Sequence, residues 1–157
     1  MRLTSLLALV AVAVAPLASR AEPLDPSPVG RWQTIDDETH RPKSVVRLWQ
    51  KDGVLYGNIE EIFPEPGKPK DPVCDQCEGA LKDKPIVGMM FLWGLRRDGN
   101  EWSGGRIVDP ENGKIYRCNV QVVSGGMRLK VRGYIGVSLL GRTQYWERVT
   151  IDRMPVN

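Results

Sequence analysis

Leu129-Lys130-Val131-Arg132-Gly133-Tyr134-Ile135-Gly136, followed by Leu140-Gly141-Arg142-Thr143-Gln144-Tyr145-Trp146-Glu147-Arg148, reads as two β-strands around a glycine-punctuated corner. Met127, Leu129 and Val131 alternate with Arg128, Lys130 and Arg132, the period of two that separates the faces of a strand. Two readings of the basic residues follow. Either they form a solvated outer face, or that face turns inward and Arg132 with Tyr134 holds an anionic head group.

The same rhythm extends back through the chain. Gly30 to Ile35 starts a strand anchored by Trp32, and Ser44 to Gln50 and Val54 to Phe63 flank a Lys51-Asp52-Gly53 turn. An Asp-Gly between two β-rich runs is a strong hairpin signal. Ile86 to Leu95 is a near-continuous apolar run that reads as a buried fourth strand. Glu101 to Val108, Lys114 to Val123, Met127 to about Arg132 and Arg142 to Val149 complete the set, separated by Asp98-Gly99, Asp109-Pro110 and Gly125-Gly126 turns. No helix longer than a turn or two is expected.

Eight strands joined mostly as hairpins predict an all-β fold. A closed up-and-down barrel removes the exposed edges of such a meander, and a β-sandwich is the alternative. In a barrel the short turns at 51–53, 97–100 and 124–126 share one end. The connections 36–43, 64–85, 109–113 and 133–141 share the other, which reads as an open mouth. Ligand sites favour barrel mouths, and Met89, Phe91 and Trp93 would line such a pocket together with Arg132 and Tyr134. Arg142 is expected over Trp32, closing the seam by a cation–π contact.

The N-terminus sets the compartment. Met1-Arg2 is a short positive segment, Leu3 to Val14 is apolar and uncharged, and Ser19-Arg20-Ala21 presents small residues for cleavage after Ala21. That pattern is a signal peptide over 1–21, and its apolar run is too short to span a bilayer. We expect a soluble, exported protein, periplasmic or secreted, with an extended lead-in at 22–28, one domain over 29–150 and a tail at 151–157. Of the 157 residues, 136 remain after cleavage, carrying 20 basic and 19 acidic side chains, a net +1. So neutral a domain has no electrostatic footprint for nucleic acid.

The 64–85 stretch holds five prolines and Cys74-Asp75-Gln76-Cys77. A loop this long in a small domain is commonly functional, and it offers a surface for a partner in the cell envelope. In an oxidising compartment the three cysteines imply one disulfide and one thiol left over. Either Cys74 pairs with Cys77, or Cys118 pairs with one of them and pins the loop across the mouth. A metal or redox site is a further alternative, with Cys74, Cys77, Cys118 and His40 as a three-sulfur, one-nitrogen zinc set. His40 is the single histidine and no Gly-x-Ser-x-Gly is present, so no hydrolytic constellation forms. We expect neither an enzyme nor a cofactor.

Gly30-x-Trp32, with an arginine near the last strand, resembles the lipocalin-like barrels. A longer set extends the likeness: Asp71-Pro72-x-Cys74-x-x-Cys77, Lys84-Pro85-Ile86-x-Gly88, and Gly105-x-Ile107-x-Asp109-Pro110-x-x-Gly113-x-x-Tyr116-x-Cys118. Together these resemble an uncharacterised family of small exported bacterial proteins, a domain of unknown function, from about Val29 to Val149. The resemblance implies a lipocalin-like barrel and export, and brings no catalytic residues with it. The expected activity is binding of a small amphipathic or apolar molecule at the open end.

Overall fold

The chain was analysed as a computed structural model that describes residues 27–150. The signal peptide expected over 1–21, residues 22–26 of the expected lead-in and the tail at 151–157 lie outside the described residues. Eight strands follow in order: β1 (Gly30–Ile35), β2 (Pro42–Lys51), β3 (Val54–Ile62), β4 (Met90–Asp98), β5 (Glu101–Val108), β6 (Ile115–Val123), β7 (Arg128–Tyr134) and β8 (Arg142–Arg148). Each pairs antiparallel with its sequence neighbour, and β8 returns to β1, so the sheet is a closed up-and-down barrel. The sandwich alternative is thereby excluded.

Hairpin chemistry sets the order. Asp52 and Gly53 both take positive φ, 51° and 74°, the backbone that matches the right-handed twist of β2 and β3. Alternation then sorts the faces. On β7 Leu129 and Val131 are buried whereas Arg128 is exposed and Lys130 and Arg132 are half-buried, so the basic residues stand on the outer face.

Trp32, Leu48, Leu55, Leu92, Leu95 and Leu129 have essentially no exposed surface, and Phe91, Trp102 and Trp146 join them in one core. Burying each of these side chains contributes about 1.5–3 kcal/mol. Gly57 on β3 is required by the packing: a Cβ there would come 2.4 Å from Leu48 Cδ2 and 3.2 Å from Phe91 Cε1.

The fourth strand begins later than its apolar run implies. Ile86 to Met89 forms a turn, with Met89 N–H donating to the Ile86 carbonyl at 3.1 Å and Gly88 at φ 87°. Gly88 N–H also donates to the Ile59 carbonyl at 2.7 Å, which fastens this turn to β3. Only from Met90 does the backbone pair as a strand.

The 63–89 connection is an ordered cap. Val73 and Pro85 form an isolated bridge, and Cys74 N–H donates to the Lys84 carbonyl at 2.8 Å. Cys74 is disulfide-bonded to Cys77, and both sulfurs sit in the main core together with Cys118, Met89 and Val108. The loop therefore turns its cysteines down into the mouth and leaves its polar residues outside.

Candidate functional site

The closed end is sealed by an arginine and a tryptophan, but the arginine is Arg148, not Arg142. The Arg148 guanidinium lies 4.2 Å from the centroid of the Trp32 ring, its ladder partner on β1. Arg142 sits at the far end of β8, where it pairs with Asp37. The strand brings both arginines to one face; position along it decides which one reaches Trp32.

The seam between β1 and β8 is short. Its ladder consists of Trp32↔Arg148 and Gln33↔Glu147, after which the strands part toward the mouth. A cleft of about 460 Å³ occupies the gap. One wall is Gln33 and Ile35 of β1 with Asp36, Asp37, His40 and Pro42 beyond it, and the other is Thr143, Gln144, Tyr145 and Glu147 of β8 with Arg128 of β7.

Local chemistry holds these groups in place. Asp36 Oδ1 accepts the Thr39 N–H at 2.7 Å, the Thr39 hydroxyl at 2.9 Å and the Glu38 N–H at 3.1 Å. Those bonds, the Thr39 backbone N–H foremost, and the Lys43 ammonium hold the Asp36 carboxyl down at about 2. Asp37 reaches across the gap to Arg142 and to Gln144, whose Nε2 donates at 2.9 Å. Trp146 Nε1 donates to Gln144 Oε1 at 3.3 Å, tying this bridge to the core. Arg128 lies 5.0 Å over the Tyr145 ring. The cleft thus combines both signs of charge with the apolar surfaces of Ile35, Pro42 and Tyr145.

The residues expected to line a pocket do not converge. Met89 and Phe91 are buried in the core, Phe91 with its ring centroid 5.9 Å from that of Trp146. Trp93 is half-buried, and its ladder partner is the exposed Arg106. Arg132 is on the outer face, donating from Nη1 to Thr143 Oγ1 at 2.7 Å and from Nε to the Ser138 carbonyl at 2.8 Å. The inward reading of the β7 arginines fails because Leu129 and Val131 claim that side. Tyr134 is half-buried, opposite Arg117 on the β6·β7 ladder.

The cysteines resolve to the Cys74–Cys77 pairing, with Cys118 a buried free thiol pushed up to about 12 by burial alone. A bridge from Cys118 to the loop is therefore overturned. So is the zinc set: two of its thiols are spent on each other and His40 lines the β1–β8 cleft instead. Among the described residues no three His, Cys, Asp or Glu side chains group as metal ligands. No described helix is long and apolar enough to cross a membrane.

The lining residues Gln33, Asp37, Gln144 and Glu147 carried no signal in the sequence. What exposes them is the early parting of two strands distant in the chain.

An eight-stranded antiparallel barrel in sequential order defines the class: this is a lipocalin-like β-barrel. It is similar to the solved structure titled "Protein HP1028 from the human pathogen Helicobacter pylori belongs to the lipocalin family", with a TM-score of 0.66 at 20% identity over 82% of this chain and 86% of that one. At that identity the likeness is one of fold. The family profile described as "Uncharacterized protein conserved in bacteria (DUF2147)" matches residues 30–148, and the chain belongs to that family. No curated protein matches the sequence.

Proposed function

We propose that the protein is an exported binding protein, not an enzyme, that takes a small amphipathic molecule in the β1–β8 cleft, which runs along the outer wall of the barrel toward its mouth. The observation that carries this reading is the cleft itself. Its volume of about 460 Å³ falls in the range of small-molecule sites, roughly 300–1,000 Å³. Arg128 and Glu147 at one end of the cleft would meet the charged end of the molecule, and Ile35, Pro42 and Tyr145 its apolar part. Met89 and Phe91 lie in the core, so a longer apolar tail would reach them only with the 63–89 cap lifted. The Cys74–Cys77 disulfide supports an oxidising compartment.

Native mass spectrometry of the protein recovered from its producing cell tests the reading. A small-molecule adduct is expected on the unaltered chain and is expected to vanish on Thr143→Trp, which fills the cleft. A bare polypeptide mass, or an adduct indifferent to that substitution, would overturn it.

A second reading rests on the cap. Its outward side, including Lys68, Lys70, Val73 and Lys82, is exposed on a loop braced by the disulfide and the Val73↔Pro85 bridge. Such a braced surface suits an envelope protein partner. Here, replacing residues 64–71 by a short glycine linker would abolish partner capture and leave the adduct unchanged.

A further inference from the structure

The loop between β7 and β8 presents apolar side chains to solvent. Ile135, Val137, Leu139 and Leu140 are 62%, 60%, 90% and 80% exposed, and Ile115 at the start of β6 is 50% exposed. Scattered exposed apolar residues are ordinary, but four within six positions form a patch that marks an interaction surface. The loop is held in this posture: Arg132 donates from Nε to the Ser138 carbonyl at 2.8 Å and to its Oγ at 3.2 Å, folding it onto the outer face of the sheet. Gly141 permits the return, since a Cβ there would come 2.5 Å from the Gly133 carbonyl oxygen.

Cations flank this patch. The β5·β6 ladder sets Arg106 directly opposite Arg117, both exposed, and Arg117 is opposite Tyr134, the residue before the apolar loop. Like charges directly opposed on a sheet repel each other. Among the described residues neither arginine has an ion-pair partner, and Lys114 close by has none either. The carboxylates of the two adjoining loops that come nearest are already engaged. Glu111 pairs with Lys43 at 2.7 Å, Asp37 with Arg142, and Asp109 accepts from the Glu111 N–H at 3.0 Å and Asn112 Nδ2 at 2.9 Å. The face thus has an unmet demand for anions beside projecting apolar side chains.

We propose that this face docks on the surface of an anionic phospholipid bilayer. Leu139, Leu140, Val137 and Ile135 enter the boundary between head groups and acyl chains, while Arg106, Arg117 and Lys114 lie against lipid phosphates. Leucines that project at 80–90% exposure suit a soft interface better than the pocket of a folded partner. Neither signal suffices alone: a few inserted side chains bind weakly and reversibly, and a basic patch adds the second contribution. Docked this way, the barrel holds its mouth end and the neighbouring β8 cleft near the membrane.

Vesicle co-sedimentation tests this, using the chain as its producing cell releases it. Binding is expected to phosphatidylcholine vesicles containing phosphatidylglycerol, to fall with salt, and to be at least tenfold weaker on phosphatidylcholine alone. Leu139→Ser with Leu140→Ser, and separately Arg106→Gln with Arg117→Gln, are each expected to weaken it about tenfold or more. All four side chains are exposed, so thermal unfolding is expected to change little. An environment-sensitive dye on Leu139→Cys is expected to shift to the blue with anionic vesicles, and the same dye on Lys51→Cys at the closed end is not. Absent binding, equal binding to neutral vesicles, binding indifferent to both double variants, or a shift at the Lys51 position alone would each overturn the proposal. So would saturable capture of a purified protein by the loop with no vesicle binding, which would assign the patch to a protein partner.

Discussion

The guanidinium of Arg148 covers the Trp32 ring at 4.2 Å and also donates to three carbonyls: Gly126 at 2.6 Å, Ser27 at 2.7 Å and Val29 at 3.1 Å. Trp32 Nε1 donates to a fourth, that of Pro28, at 2.8 Å. One side chain therefore ties the last strand to the first, to the lead-in and to the 124–126 turn.

From this, Arg148→Ala is expected to cost at least about 2 kcal/mol, since a cation–π contact of about 0.5–2 is lost together with charged hydrogen bonds of about 1.5–3 each, less whatever water restores to the freed carbonyls. Arg142→Ala removes an ion pair that is largely exposed and is expected to cost less than about 1 kcal/mol. Urea unfolding of both variants checks the contrast, and equal losses would refute it.

The cap meets the barrel at Gly113. At φ 70° its Cβ would fall 1.8 Å from the Gln76 carbonyl oxygen and 2.7 Å from the Cys77 nitrogen, both backbone atoms that cannot rotate away. Gly113→Ala is expected to destabilise by about 2–3 kcal/mol and to speed proteolysis within 64–85. Gly125→Ala, with a similar φ of 64° and open space around it, is expected to cost only about 1 kcal/mol.

Thiol accessibility separates the cysteine pairings. With Cys118 pushed up to about 12 by burial, the folded, unreduced protein is expected to show no reactive thiol at pH 8. Denaturation without reductant is expected to reveal one, and mass mapping to place it at Cys118. A native thiol that reacts at once, or a label on Cys74 or Cys77, would contradict the structure.

The Asp36 carboxylate supplies an acid limb. Its folded pKa is about 2, below the ordinary 3.8, so its contribution to stability is present above about 3.8 and is lost as pH falls toward 2. Asp36→Ala is expected to flatten the pH dependence of stability in that window and to loosen the 36–41 loop. An unchanged acid limb in urea titrations at pH 4 and pH 2 would count against it.

How much of this was legible in advance differs by element. Seven of the eight strands begin within about two residues of where alternation and turn chemistry put them, because each is a two-faced surface bounded by Gly, Asp or Pro. β4 is the exception. Its apolar run is continuous from Ile86, but apolar character marks burial, and Ile86 to Met89 is buried or half-buried in a turn for its first and last members. The face of Arg132 was undecidable from alternation, which sorts residues into two sets without saying which set is inside. The cleft was invisible, because its walls come from positions 33–42 and 128–147 and exist only where two strands separate.

The amino-acid sequence by itself determined an all-β chain of eight sequential strands, the glycine and aspartate turns between them, the cysteine-bearing connection and the family to which the motifs belong. These are properties of neighbouring residues, written in periods of two and in backbone preferences. Tertiary structure alone decided that Arg148 and not Arg142 covers Trp32, that Cys74 takes Cys77 and leaves Cys118 buried, and that β1 and β8 part after Gln33 and Glu147. Each of those depends on closure: bending a meander into a barrel brings its two ends together in one particular register, and that register is a property of the whole sheet.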